Sequence, residues 1–181
     1  MKQDSNRRQP EPRPSVPDPR HHLLSAVLAF VRAARSSRGV LRIALLGSLA
    51  TDKPVPKDAD VLITIDAAID LASLAYLGRR LKGAAQTINL GADIFLADGA
   101  NCYLGRICHY RECHARAACK ALHCGQRQCL NDDFQIVTLC PALITAPPIE
   151  LWPRIVTRCS VPVDTEALLV AELGKDGTPR E

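Results

Sequence analysis

The sequence predicts an α/β protein, and three observations carry that prediction. Residues 41–46 and 61–65 form two apolar runs of strand length, parted by a glycine and a proline-rich turn. Residues 21–35 and 67–82 repeat apolar side chains at helical spacing on either side of those runs. Residues 87–96 then supply a third strand-like stretch. Helices interleaved with strands in this way bury their apolar stripes against a sheet.

In order along the chain, residues 1–20 are polar and proline-rich and read as a disordered tail without the apolar core of an export signal. The first helix places Leu24, Val27, Leu28 and Val31 on one face. Asp18 is its expected N-cap, Pro19 its first helical residue, and Gly39 lies past its end. In the second helix Leu71, Leu74, Leu77 and Leu81 form the apolar face, with Gly83 as the expected stop. Residues 134–139 read as one more strand. Pro147, Pro148, Pro153 and Pro162 argue that the C-terminal region crosses the surface as extended chain. Residues 163–173 suggest a short last helix. The expected organisation is therefore a tail (1–20), an α/β core (21–98), a Cys/His-rich segment (99–130), a C-terminal strand and extended region (131–175) and a loose end (176–181).

The chemistry concentrates in LLGSLATDKPVPKDADVLITI, where Gly47-Ser48 is followed by nine residues and then Asp58-Ala59-Asp60. Side chains alternate along a strand, so Asp58 and Asp60 project from one face. Paired carboxylates repel unless a cation lies between them, and hard divalent ions prefer oxygen ligands. A Gly-Ser step at a tight turn offers backbone N–H groups and a hydroxyl to phosphate oxygens. Taken singly, each acid reads as an ordinary loop or strand-capping residue. Carboxylates that hold a metal and face a phosphate cradle are the parts needed for phosphoryl or nucleotidyl transfer.

This pattern resembles the nucleotidyltransferase superfamily of DNA polymerase beta, particularly its small single-domain members, over roughly residues 22–98. The resemblance implies a mixed sheet with helices on one face and the acids on the other. It also implies Mg²⁺ held by Asp58, Asp60 and Asp93, nucleotide phosphates on Gly47 and Ser48, and transfer of a nucleoside monophosphate from an NTP to a hydroxyl acceptor. The acceptor stays open between a protein side chain, an RNA end and a small molecule. Leu49, Ala50, Thr51 and Asp52 depart from the arginine and second glycine that small relatives often carry. Lys53 and Lys57 are the available substitutes as nucleotide-binding cations. The departure keeps a second reading open: a catalytically inactive module of the same fold that binds nucleic acid or a protein partner.

Between Cys102 and Cys129 lie six of the eight cysteines and three of the five histidines. Cys108-x4-Cys113-x5-Cys119-x4-Cys124 suits one tetrahedral structural zinc, with His109 or His123 as replacement ligands and His114 also at hand. Free thiols, a redox sensor and an iron–sulfur centre are the alternatives. Arg106, Arg111, Arg116, Lys120 and Arg127 against Glu112 make this segment basic, a candidate surface for nucleic acid or phosphate. Cys140 and Cys159 read as small buried hydrophobes, Trp152 as a partly buried anchor, and Asp132-Asp133 as a strand-start cap. No apolar stretch is long enough for a membrane span, so a cytoplasmic protein is expected.

Overall fold

The computed structural model describes residues 18–110, 113, 127–132 and 134–181. Helix α1 (Pro19–Ala34) begins as its cap predicts: the Asp18 carboxylate accepts the Arg20 N–H at 3.0 Å, with proline in the first turn. Strand β1 (Val40–Leu46) leads into a 3₁₀ turn (Gly47–Ala50), and β2 (Asp58–Ile65) returns antiparallel to β1. Helix α2 (Leu71–Gln86) crosses to β3 (Gly91–Asp98), which runs parallel to β2. Strands β4 (Tyr103–Ile107) and β5 (Leu130–Asn131) extend one side antiparallel. A short α3 (Pro141–Thr145) precedes β6 (Ile149–Trp152) and β7 (Val156–Thr157), which add antiparallel strands beyond β1. The chain closes with α4 (Val163–Thr165), a π-helical turn (Glu166–Val170) and α5 (Ala171–Lys175). The result is one seven-stranded mixed sheet ordered β5-β4-β3-β2-β1-β6-β7.

Strand alternation divides the apolar residues between two faces. Ile43, Leu45, Val61, Ile63, Ile94 and Leu96 meet Leu24, Val27 and Val31 of α1, Leu74 and Leu81 of α2, and Leu169 and Leu173 near the C-terminus. Each fully buried Leu or Ile in this layer contributes about 1.5–3 kcal/mol. Ala44, Leu46, Leu62, Phe95 and Ala97 face the other way and are covered by Ile144 of α3, with Val137, Leu139 and Leu143. That cover spans only the apolar middle of the second face. Asp58 and Asp60 of β2 and Asp93 of β3 share this face by the same alternation.

Several expectations change. Helix α2 starts at Leu71, because Asp70 caps it through the Ala72 N–H at 2.9 Å while Asp66 holds the preceding turn. Gly83 lies inside α2 with open space around it, so nothing there forces a stop. Residues 134–139 are not a strand: Phe134 and Ile136 are exposed, and Val137 and Leu139 pack on the sheet without joining it. The proline-rich region is more than surface chain, since Ile149 and Leu151 are fully buried and β6 pairs with β1. Strand β4 extends the sheet through a stretch read as irregular. Residues 176–181 are held down: Asp176 pairs with Arg32, Arg180 with Glu166, and the Ile155 N–H donates to the Pro179 carbonyl. Cys140 and Cys159 are exposed. Asp132 lies after β5, where its carbonyl accepts the Phe134 N–H; Asp133 is outside the described residues. Trp152 is partly buried against the helical side of the core, as read. No helix among the described residues is long and apolar enough to cross a membrane.

Candidate active site

At the exit of β1 the chain must turn sharply, and Gly47 does this with φ +64°, a conformation that strains any residue with a β-carbon. The 3₁₀ turn folds back towards β2, and the Ser48 hydroxyl donates to the Asp58 carbonyl at 3.4 Å. A β-carbon on Gly47 would run into the Asp60 carboxylate, and one on Gly91 would run into that of Asp58. Each carboxylate therefore lies against a glycine. Two residues that differ from alanine by a single methyl group make room for the acids.

The register sets the third acid. Asp60 of β2 is the direct partner of Asp93 in the parallel β3, and Asp58 is the partner of Gly91. Adjacent strands are about 4.8 Å apart and alternate residues of one strand about 6.6 Å apart, so the three side chains emerge within reach of one another. Their proximity is felt electrostatically: Asp60 is pushed up to about 6, first by burial and then by the neighbouring Asp58 and Asp93 carboxylates.

Strand β4 adds two residues to this face. Arg106 is there as the register partner of Phe95, and an irregularity beside Gly105, whose φ is +120°, brings Tyr103 round to the same face. Arg106 Nη1 lies 3.3 Å from Asp93 Oδ1, and the Tyr103 hydroxyl is buried without a hydrogen-bond partner. Burial pushes the Tyr103 phenol up to about 12. Arg106 stood out in the sequence only as one member of a basic run, and its pairing with Asp93 depends on β4, a strand too short and polar to read in advance.

The second missed residue is Arg20, which falls in the stretch read as a tail. Its side chain is only 9% exposed and forms an ion pair with Asp164 at 2.5 Å. Its Nη1 reaches the carbonyls of Ser48, Thr51 and Lys53 at 3.1, 3.1 and 2.8 Å. A cation in the first turn of a helix opposes the helix dipole, so its local setting gives no reason for it. Only its proximity to Asp18 and Pro19 marks it in the sequence.

The structure thus brings together Gly47, Ser48, Asp58, Asp60 and Asp93. Lys53 and Lys57 are exposed on the connecting loop, and the Lys57 carbonyl accepts the Gly91 N–H at 3.1 Å, tying that loop to the start of β3. Among the described residues no three His, Cys, Asp or Glu side chains are gathered into a ready cation shell. The donor chemistry nevertheless fits Mg²⁺: three carboxylates on one face, with the Asp60 carboxyl raised to about 6 by burial and by the other two. A hollow of about 790 Å³ opens elsewhere, at the far end of β2 around Arg38, Asp66 and Asp70, and Asp58, Asp60 and Asp93 do not line it.

Of the expected zinc ligands, Cys108 is buried and Cys113 half-buried, while Cys119, Cys124, His114 and His123 lie outside the described residues. Cys129, flanking the expected four, converges on the first two. Its N–H donates to Cys113 Sγ at 3.1 Å, and the Cys108 N–H donates to its carbonyl at 2.8 Å. Burial, then the nearby Cys113 and Cys108, push the Cys129 thiol up to about 11. His109 is held neutral, its pKa lowered to about 4 by burial and then by Lys82, and both ring nitrogens are buried without a partner. Within the basic run Arg127 donates to the Ile69 carbonyl, whereas Arg111, Arg116 and Lys120 are outside the described residues. Comparison of the chain with family models, with curated proteins and with solved structures finds no match.

Proposed function

We propose that this protein is a nucleotidyltransferase, moving a nucleoside monophosphate from an NTP to a hydroxyl acceptor. The observation that supports the reading most directly is Gly47 lying against the Asp60 carboxylate. It brings the Gly47–Ala50 turn next to three carboxylates on one sheet face. When bound, Mg²⁺ supplies charge neutralisation to the nucleotide phosphates and to the developing transition state. Asp58, Asp60 and Asp93 would hold it. Gly47 and Ser48 receive the outer phosphates, and Lys53 and Lys57 screen their charge. The acceptor hydroxyl oxygen attacks the α-phosphorus, the bond to the β-phosphate oxygen breaks, and pyrophosphate leaves. The hydroxyl proton passes to the Asp93 carboxylate. The test is pyrophosphate release across candidate protein, RNA and small-molecule acceptors, comparing wild type with Asp60→Asn. Release that depends on Asp60 is expected; equal release from both proteins removes these acids from the mechanism.

A second reading, favoured by the Arg106–Asp93 ion pair, is a catalytically inactive binding module. An internal cation on Asp93 does part of the work of a metal and lowers the need for one. Calorimetric titration with ATP and Mg²⁺ separates the two readings, because a module that grips nucleic acid without binding nucleotide reverses their order.

For the Cys/His segment we infer one structural zinc ion. The described Cys108, Cys113 and Cys129 do not by themselves gather into a cation shell; what supports the inference is the backbone N–H aimed at Cys113 Sγ, which stabilises the thiolate form that soft cations bind. Cys129 then replaces one of the two expected ligands outside the described residues.

A further inference from the structure

We propose that Arg20 is a positioning residue for the phosphate-binding turn, and that Asp164 and Thr165 in the C-terminal segment hold it to that task. The inference rests on the nucleotidyl-transfer reading and assigns the turn a support that comes from α1 and α4 together. A guanidinium has five N–H donors in a rigid fork. Here Nε and Nη2 take the two Asp164 oxygens at 2.5 and 3.0 Å, a bidentate pair. Nη1 faces three turn carbonyls, those of Ser48, Thr51 and Lys53. Nη2 also reaches Thr165 Oγ1 at 3.3 Å, and that hydroxyl donates to the Leu49 carbonyl at 2.8 Å. Three carbonyls between Ser48 and Lys53 are therefore gathered onto the Arg20 guanidinium, and a fourth, that of Leu49, onto the Thr165 hydroxyl beside it.

The consequence lies at Ser48. Its carbonyl is held by Arg20 and its hydroxyl by the Asp58 carbonyl, so the residue is fixed between α1 and the acidic strand. Arg20 sets where the turn sits relative to Asp58 and Asp60. A misplacement of about 1 Å in such a constellation is enough to lose a large part of its binding or rate. Lysine at this position keeps the charge but has no fork, and cannot serve Asp164 and the carbonyls together. Asp164, whose carboxyl Arg20 holds below its ordinary range, is the counter-charge that makes the buried guanidinium tolerable.

The test uses the full chain. Arg20→Lys, Asp164→Asn and their double variant are compared with wild type. Arg32→Lys serves as a control that weakens another α1 ion pair, the one with Asp176. Three quantities are read for each: affinity for the four Mg²⁺-nucleoside triphosphates, hydrogen-exchange protection of the 48–53 amides, and Tm. Arg20→Lys and Asp164→Asn should each weaken the best triphosphate at least tenfold and lower 48–53 protection. The double variant should be no worse than the weaker single one, as expected for residues acting as a unit. Arg32→Lys at a comparable Tm should bind normally. Unchanged affinity in Arg20→Lys overturns the inference while leaving nucleotidyl transfer standing. Equal loss in Arg32→Lys at matched Tm also overturns it, by showing a purely structural effect. If wild type binds none of the four triphosphates, the functional reading fails and this role falls with it. The exchange data then still report whether Arg20 orders the turn.

Discussion

Gly47 lies flat against the carboxylate of Asp60: its backbone is left-handed at φ +64°, and the space where a β-carbon would stand is taken by the acid. One residue thus ends β1, starts the turn and leaves room for a carboxylate on β2. Position and conformation both demand glycine.

Gly47→Ala should therefore cost about 1–3 kcal/mol in urea denaturation, from left-handed strain and displacement of Asp60. Gly91→Ala should behave differently. A methyl group there meets only the mobile end of Asp58, so stability should change by less than about 1 kcal/mol while Mg²⁺ affinity falls. A Gly47→Ala protein as stable as wild type would show that the turn relaxes freely.

The raised Asp60 pKa makes the metal-free protein pH-sensitive in a stated direction. Its carboxyl titrates near 3.8 when unperturbed and near 6 in the folded protein. As pH rises the unfolded chain loses this proton first, so the folded state is penalised across that window and the penalty is complete above it. Screening of a partly exposed group keeps the penalty on the order of 1–2 kcal/mol. Asp60→Asn should raise Tm by a few degrees at pH 7.5 without metal and lose that advantage towards pH 4. A Tm difference independent of pH would remove the electrostatic explanation.

Arg106 and a metal ion compete for Asp93. Arg106→Gln should raise the affinity of the nucleotide-free protein for Mn²⁺, followed by electron paramagnetic resonance, by roughly 3–10-fold. That corresponds to removing a cation at about 3.3 Å in a partly solvated site. A fall in affinity would mean that Arg106 holds Asp93 in place for the ion.

Protein purified without added metal should carry about one zinc per chain. Cys113→Ser and Cys129→Ser should each reduce that content and speed proteolysis of the 108–130 segment, as should a chelator. The exposed Cys140 and Cys159 provide serine controls that should leave it unchanged. Zinc retained in Cys129→Ser would return the ligand set to the cysteines of the 108–124 spacing.

Local signals were enough to find much of this protein. The Asp18-Pro19 cap, the strand bearing Asp58 and Asp60, and their projection from one face all depend on neighbours a few residues away, where steric and capping rules act directly. The third acid was legible too, because Asp93 sits in an apolar run with strand character. What stayed hidden depends on partners brought from afar. Strand β6 is four residues between prolines and becomes a strand by pairing with β1. Arg106 meets Asp93 only because β4 pairs with β3 and places it opposite Phe95 on that face. Arg20 is the extreme case: its ion-pair partner is 144 residues away, and nothing in the sequence around it asks for a buried cation. Alternation and capping are short-range physics that a sequence displays, whereas the burial of the Arg20 guanidinium against Asp164 exists only once α1 and the 163–175 segment have packed together on the sheet.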